Sequence, residues 1–303
     1  MLVEALENHY RDLANERQGR PSRWNRASSI GRCPRELCYQ KLGVVGAPIT
    51  PRRMAVFHHG NYMDRGLKED LMAALGDSVI TTKLTGSIVI DEVHISAEAD
   101  ALFTVNGRKG VADVKTMSNF AFERACKAVI DDTYQAQGWI YAEVFKVDLV
   151  VFVCYRKETS HLCEVIFDRQ APELIITQRF GGDERKLYTD DPLLITEVRT
   201  PFDGHIQEKI RATIRAVGRC VDGQSLPDRP YAPVMETTNI QNKEEKAEAV
   251  KLYGEPISKS GSWSKFQTGR QILEFPCSYC AFISQCFPQA YLEIENGKPK
   301  WIT

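Results

Sequence analysis

Two groups of side chains in this sequence stand at spacings that suit metal chemistry. Near the end, "CSYCAFISQC" brings Cys277, Cys280 and Cys286 within ten residues. Three thiols so close suit a metal ion or metal–sulfur cluster that still needs a further ligand. In the middle, "HISAEADALFTVNGRKGVADVKT" carries Asn106-Gly107 between two runs rich in β formers. Asn-Gly is the strongest two-residue hairpin signal, because both central residues take positive φ. With that turn, paired positions sum to 213, so Asp100 faces Asp113 and Glu98 faces Lys115. Alternation with period two then puts all four on one side of the sheet. Carboxylates opposed at about 5 Å repel by roughly 3 kcal/mol at an effective dielectric near 20. A divalent cation between them turns repulsion into attraction, and oxygen donors suit Mg²⁺ or Mn²⁺. Lys115, a cation on the same side, can orient a water or stabilise charge developing at phosphorus. An ordinary solvated face, a proton-sharing acid pair, or a bulge that breaks the register also fits these residues.

The elements on either side must position this hairpin. In "MAVFHHGNYMDRGLKEDLMAAL", Phe57, Gly60, Asp64, Leu67 and Leu71 follow helical spacing, which puts Asp64 on an apolar stripe. A buried acid is costly unless it meets a metal or a cationic partner, a core arginine being the alternative. After the hairpin, "DDTYQAQGWIYAEVFK" sets Tyr134, Gln137 and Tyr141 on one helical stripe. An amide between two phenols can reach a phosphate or a metal-bound water, or can be one satisfied glutamine in a core face. Periodicity predicts helices at about 2–17, 34–42, 53–75, 118–129, 133–146, 171–180 and 204–220. Strands are expected at about 79–90, 93–105, 108–116, 147–156 and 161–168, the first three as an antiparallel meander. "NKEEKAEAVKLYG" reads as a charged surface helix within a mixed stretch from about 222 to 265.

With 303 residues the chain can bury a sizeable core, and 43% hydrophobic with 26% charged residues is ordinary for a soluble globular protein. No apolar run approaches the roughly 18–20 residues of a membrane span. The start, "MLVEALENHYRDLANERQ", reads as an acid-bearing amphipathic helix without signal-peptide character, so a cytoplasmic location is expected. In that compartment nine cysteines are thiols or metal ligands rather than disulfides. The net charge of −1 argues against a nucleic-acid partner, but the distribution does not. Residues 17–53 carry Arg17, Arg20, Arg23, Arg26, Arg32, Arg35, Lys41, Arg52 and Arg53 against the single acid Glu36, with Trp24 and Tyr39 interleaved. Phosphate contacts and base stacking hold single strands in this way. A solvated basic segment balanced by acids elsewhere fits equally well.

Taken together, these residues resemble the PD-(D/E)XK nuclease core. The carriers are an Asp in one strand, a turn, and Asp-x-Lys in the next, here Asp100, Asp113 and Lys115. The following Gln-x-x-x-Tyr helix, Gln137 to Tyr141, is similar to the extra motif of the RecB-like branch. The branch's Gly-x-x-x-His helix corresponds to Gly60-Asn-Tyr-Met-Asp64, where Asp64 replaces a metal-binding His, and Ala97 stands for a usual Gly. Cys277-x2-Cys280-x5-Cys286 with an early Cys-Pro-Arg, Cys33 in "SSIGRCPRELCY", resembles the iron–sulfur members, such as the AddB nuclease domain and CRISPR-associated adaptation exonucleases.

The resemblance implies an α/β fold: a PD-(D/E)XK core with a mixed central sheet flanked by helices. One domain would span 1–303, its core at about 53–200. An iron–sulfur subdomain of about 20–50 plus 260–290 would be built from both termini, with helical additions at about 203–255. Asp100, Asp113 and the Val114 carbonyl would hold Mg²⁺ or Mn²⁺, with Asp64 as a further ligand. Lys115 would position the attacking water, and Gln137 would align substrate or water beside Tyr141. Cys33, Cys277, Cys280 and Cys286 would hold a [4Fe–4S] cluster. Zinc is an alternative at the four thiols, and Cys38 an alternative to Cys33. Arg32, Arg35, Tyr39 and Arg53 would contact DNA. The implied activity is metal-dependent exonucleolytic hydrolysis of DNA ends, single strands preferred, in recombination, repair, replication or processing, with no membrane partner. The competing readings are a catalytically weak or inactive DNA-binding structural protein with a four-cysteine metal staple, and a zinc-stapled RNA binder.

Overall fold

A computed structural model describes residues 2–18, 23–126, 129–170, 173–179, 195–201, 204–223, 226–229, 233–260, 262–272, 280–295 and 298–303. The chain divides into two compact units, Met1–Gly43 with Ile49–Pro227, and Val44–Pro48 with Asp228–Thr303.

The first unit is built on a seven-stranded sheet whose strands lie in chain order. These are β1 (Val79–Ile90), β2 (Val93–Val105), β3 (Arg108–Met117), β4 (Leu149–Arg156), β5 (Leu162–Asp168), β6 (Glu173–Arg179) and β7 (Ile195–Pro201). Only β3 and β4 pair in parallel, so the sheet is mixed. A parallel neighbour needs a crossover, and α4 (Asn119–Cys126) and α5 (Asp132–Phe145) supply it. The hairpin between β2 and β3 turns at Asn106 and Gly107, at φ 50° and 75°, in the expected register from Val105–Arg108 to Ala101–Ala112.

The helices cover both faces of this sheet. α5 and α6 (Ile206–Val221) enclose the larger core, α6 through Ile206, Ile210, Ile214 and Val217, a run of helical spacing. α3 (Pro51–Leu75) closes the smaller core through Leu71, Met72 and Leu75 against Ala101, Phe103, Ala112 and Val151. Thr50 caps α3 by accepting from the Arg53 amide at 3.2 Å. α1 (Leu2–Gln18) and α2 (Pro34–Lys41) complete this unit.

One expectation fails here. The segment read as a helix at 171–180 contains β6, because Ile175, Ile176 and Thr177 are β-branched and pair with β5. The region read as helical additions at 203–255 contributes α6 to the first unit and, to the second, one helix with one strand before it. The second unit holds a five-stranded sheet: β8 (Val234–Ile240), β9 (Ser258–Ser260), β10 (Trp263–Ile272), β11 (Tyr291–Glu295) and β12 (Lys298–Ile302). α7 (Lys243–Tyr253) matches the expected charged helix, and α8 (Ile283–Cys286) is a single turn. Of the early chain, only Val44–Pro48 belongs to this unit, with the Ala47 amide donating to Ala281 at 2.7 Å.

Candidate active site

Strand alternation slips at Asp100. Ala99 and Leu102 both face the larger core, whereas Ala101 and Phe103 face the smaller one. Strict period two would put Ala99 and Leu102 on opposite faces. Across β1 the irregularity is matched at Lys83, which takes φ 54° between the pairs Thr82–Ala101 and Leu84–Ala99. The β2–β3 ladder stops at Ala101–Ala112, one step short of Asp100 and Asp113. The Asp100 side chain does the work of the missing ladder bond: its Oδ2 accepts from the Val114 amide at 2.8 Å. Its Oδ1 meets Lys68 Nζ at 2.8 Å, and the same ammonium lies 2.5 Å from Asp64 Oδ2. Asp64 is thus linked to β2 through Lys68, but its side chain is 35% exposed rather than buried in an apolar stripe, and its partner is a lysine one turn away rather than a core arginine. Burial alone would lower the Lys68 pKa. Hydrogen bonds to Asp100 and Asp64, with their charges, outweigh that and hold it above the ordinary lysine value.

Asp113 is only 7% exposed. Its Oδ2 lies 2.7 Å from Lys115 Nζ, 2.7 Å from Gln137 Nε2 and 3.0 Å from the Tyr141 hydroxyl. Gln137 Nε2 also donates to Tyr141 at 2.7 Å, and the Tyr141 hydroxyl bonds the Glu98 backbone carbonyl. Burial pushes the Asp113 carboxyl up. The Lys115 charge opposes this, Asp100 adds to it, and hydrogen bonds from Lys115 and Tyr141 again oppose it. Burial likewise raises the Tyr141 phenol, which stays a neutral donor. Lys115 Nζ lies 5.5 Å from the Phe152 ring centre and 5.9 Å from that of Tyr134, so aromatic faces back the ammonium. α5 can lie this close to the sheet because of Gly138, where a Cβ would come 2.9 Å from the Phe167 ring.

Asp64, Asp100, Asp113, Val114, Lys115, Gln137 and Tyr141 therefore gather where β2 leaves β3. Two details differ from the hairpin expectation. The Glu98 side chain is exposed and its carbonyl, not its carboxylate, enters the network. Gln137, 2% exposed, has its amide on Asp113 and Tyr141, which makes it a positioning residue for the carboxylate. Lys68 was missed, although its Asp-x-x-x-Lys spacing with Asp64 is an i,i+4 ion-pair signal.

Among the described residues no three His, Cys, Asp or Glu side chains come together as a metal cage. Mg²⁺ seldom uses one. It takes one or two carboxylates and keeps waters. Asp100, Asp113 and the Val114 carbonyl are hard oxygen donors, and both carboxylates already bind positive nitrogens. The donor set fits a divalent cation.

The candidate thiols lie in both units. Cys33 is the N-cap of α2 in the first unit, half-buried. Cys280 and Cys286 belong to the second unit, where Cys280 Sγ accepts from the Phe282 amide at 3.4 Å. Cys277 lies outside the described residues. Cys38 is fully buried, and burial, with hydrogen bonding and charge from Cys220, pushes its thiol up to about 12, the behaviour of a core thiol. Trp24 and Tyr39 are core residues, so their rings are not presented for base stacking. Arg35 bonds the Tyr39 hydroxyl at 3.3 Å and the Pro227 carbonyl at 3.0 Å. Arg32 pairs with Glu36 at 3.3 Å, and Arg53 stacks 5.6 Å from the Phe57 ring centre. Among the described residues no helix is long and apolar enough to cross a membrane.

No family model and no curated protein matches the chain. Among solved structures it is similar to SSO0001, at 16% identity and TM-score 0.40, covering 75% of this chain and 89% of that one. It is also similar to an alkaline exonuclease from Laribacter hongkongensis, at 12% identity and TM-score 0.38, covering 70% of this chain and 95% of that one. The same exonuclease in complex with dAMP gives 15% identity, TM-score 0.38 and the same coverage. With identities and scores this low, the likeness carries no functional argument.

Proposed function

We propose that the chain is a metal-dependent DNA nuclease of the PD-(D/E)XK type, an exonuclease acting on DNA ends with a preference for single strands. One observation carries the reading: buried Asp113 meets Lys115, Gln137 and Tyr141 on one oxygen, beside Asp100 in a gap of the sheet. Mg²⁺ or Mn²⁺, held by Asp100, Asp113 and the Val114 carbonyl with Asp64 as a further ligand, would polarise the scissile phosphate and acidify a bound water. The remaining work falls to the chain itself. Lys115 orients the attacking water and offsets the charge that grows on the phosphate oxygens. Gln137 and Tyr141 fix the Asp113 carboxylate, so its geometry is set before substrate arrives. Arg32, Arg35 and Arg53 would contribute positive charge toward the DNA backbone.

Cys33, Cys277, Cys280 and Cys286 belong to the same proposal as ligands of a [4Fe–4S] cluster, with zinc as the alternative occupant. Iron and zinc analysis of anaerobically purified protein distinguishes the two.

The activity is tested by digesting end-labelled single- and double-stranded DNA with Mg²⁺ or Mn²⁺. Stepwise shortening from single-stranded ends, absent in Lys115→Ala, is the expected result. DNA binding without cleavage under both metals would overturn it in favour of a DNA-binding structural protein.

A further inference from the structure

Lys68 stands one helical turn after Asp64 on α3, its ammonium 2.5 Å from Asp64 Oδ2 and 2.8 Å from Asp100 Oδ1. It therefore ties α3 to β2 through the carboxylates that the nuclease reading assigns to a divalent cation. Its side chain is 36% exposed, so a hydrated ion can approach from solvent. We propose that Lys68 is a positioning residue that holds Asp64 and Asp100 together as a tethered cation in the metal-free protein, and that Mg²⁺ or Mn²⁺ binds by displacing its ammonium. The identity of the ion rests on the nuclease reading.

The physical case is one of charge and reach. Asp64, Asp100 and Asp113 bring three negative charges, and Lys68 and Lys115 return two positive ones. Among the described residues Lys68 is the ion-pair partner of both Asp64 and Asp100, and without it the two acids would face each other. With Lys68 in place, a divalent ion entering the same oxygens meets a like charge at short range, which weakens its binding. A lysine suits this role because its ammonium is a compact charge on a flexible four-carbon stem. It can leave the carboxylates without moving the helix. Loading would then favour the moment when a substrate phosphate adds its own oxygens to the ion, as Mg²⁺ sites commonly require.

The test is Mn²⁺ binding to DNA-free protein by calorimetry. Lys68→Met keeps most of the stem and removes the charge, and should bind Mn²⁺ at least about tenfold more tightly than the native chain. Lys68→Arg keeps the charge and should bind as weakly as the native chain. Metal-free Lys68→Met should melt below the native chain, and Mn²⁺ should raise its Tm by more. Equal Mn²⁺ affinity in Lys68→Met and the native chain overturns the proposal, as does Lys68→Arg binding as tightly as Lys68→Met. Cleavage assays run in parallel separate the two ideas. Equal affinities with active native protein remove the Lys68 role and leave the nuclease. Tighter binding by Lys68→Met with a native chain that cuts nothing supports the Lys68 role and removes the nuclease.

Discussion

Among the described residues each unit buries one carboxylate beside cations, and the two clusters are built on opposite balances. In the second unit Glu236 of β8 accepts from Thr268 at 2.7 Å, with Arg270 Nε at 3.4 Å on the same oxygen and Lys300 on the other. Thr268 and Arg270 lie on β10 and Lys300 on β12, so one acid ties three adjacent strands. Burial raises its pKa, but hydrogen bonds from Lys300 and Thr268, with the charges of Lys300 and Arg270, outweigh that and hold it below the ordinary value. In the first unit Asp113 has one close cation, a neighbouring acid and two neutral donors, and burial wins. A carboxylate kept for the fold is surrounded by more positive charge than it carries. A carboxylate surrounded by other acids is a strained arrangement, and such strain concentrates at functional sites.

The largest expected effect tests that contrast directly. Asp113→Asn should reduce cleavage by roughly 10³-fold or more, the scale of losing a group on which the transition state depends. It should leave the melting temperature unchanged or higher, because it removes a buried charge that its surroundings only partly offset. A fall in Tm comparable to that of a core deletion would show that Asp113 holds the fold as Glu236 does. Glu236→Gln is the counterpart. Lys300 and Arg270 would each lose their ion pair with Glu236, while Arg270 keeps the one with Glu293, at a cost of about 1–3 kcal/mol. Hydrogen exchange should report it as lower protection in β8, β10 and β12. Unchanged protection there would end the comparison.

Acid should divide the units further. Glu236, held below its ordinary 4.5, stabilises the folded state above that pH, and the contribution is lost as pH falls through its folded value. Asp113, pushed above its ordinary 3.8, has the opposite sign. Its ionisation costs stability above its folded pKa, and the cost is gone below 3.8. Acidification should therefore lower exchange protection in β8 before β3. Loss in the reverse order would contradict both assignments.

The hairpin was legible in the sequence because its determinant is local: Asn106-Gly107 sets the turn, and the register follows residue by residue to Ala101–Ala112. The gathering of Asp64, Gln137 and Tyr141 near the two aspartates was legible from helical spacing. The slip at Asp100 was not, since it arises where β2 leaves β3 and where Lys83 of β1 takes positive φ, both non-local events. The buried partner of Gln137, Asp113, was not legible for a related reason. Spacing gives a side chain's face, but only packing shows whether its amide meets solvent or a buried oxygen. The second sheet was hidden because its strands are short or interrupted, with a register shift in β10 between Gln267 and Gln271, close to the residues that hold Glu236.

The smallest expected effect removes one neutral hydroxyl from each cluster. Tyr141→Phe would remove the one O–H that the Glu98 carbonyl and Asp113 share, and would leave one Gln137 proton without its acceptor. A lost buried hydrogen bond of this kind costs about 1 kcal/mol, and cleavage should fall about tenfold as the carboxylate loses its fixed geometry. Thr268→Val removes the matching donor from Glu236, where Lys300 and Arg270 remain. With a cation on each oxygen, that cluster should tolerate the change better, with a smaller fall in Tm. The two substitutions are compared in the same thermal melt and the same exchange experiment. If Thr268→Val proves the more damaging of the two, the acid-rich cluster does not depend on its neutral donors, and Gln137 and Tyr141 lose their assignment as positioning residues.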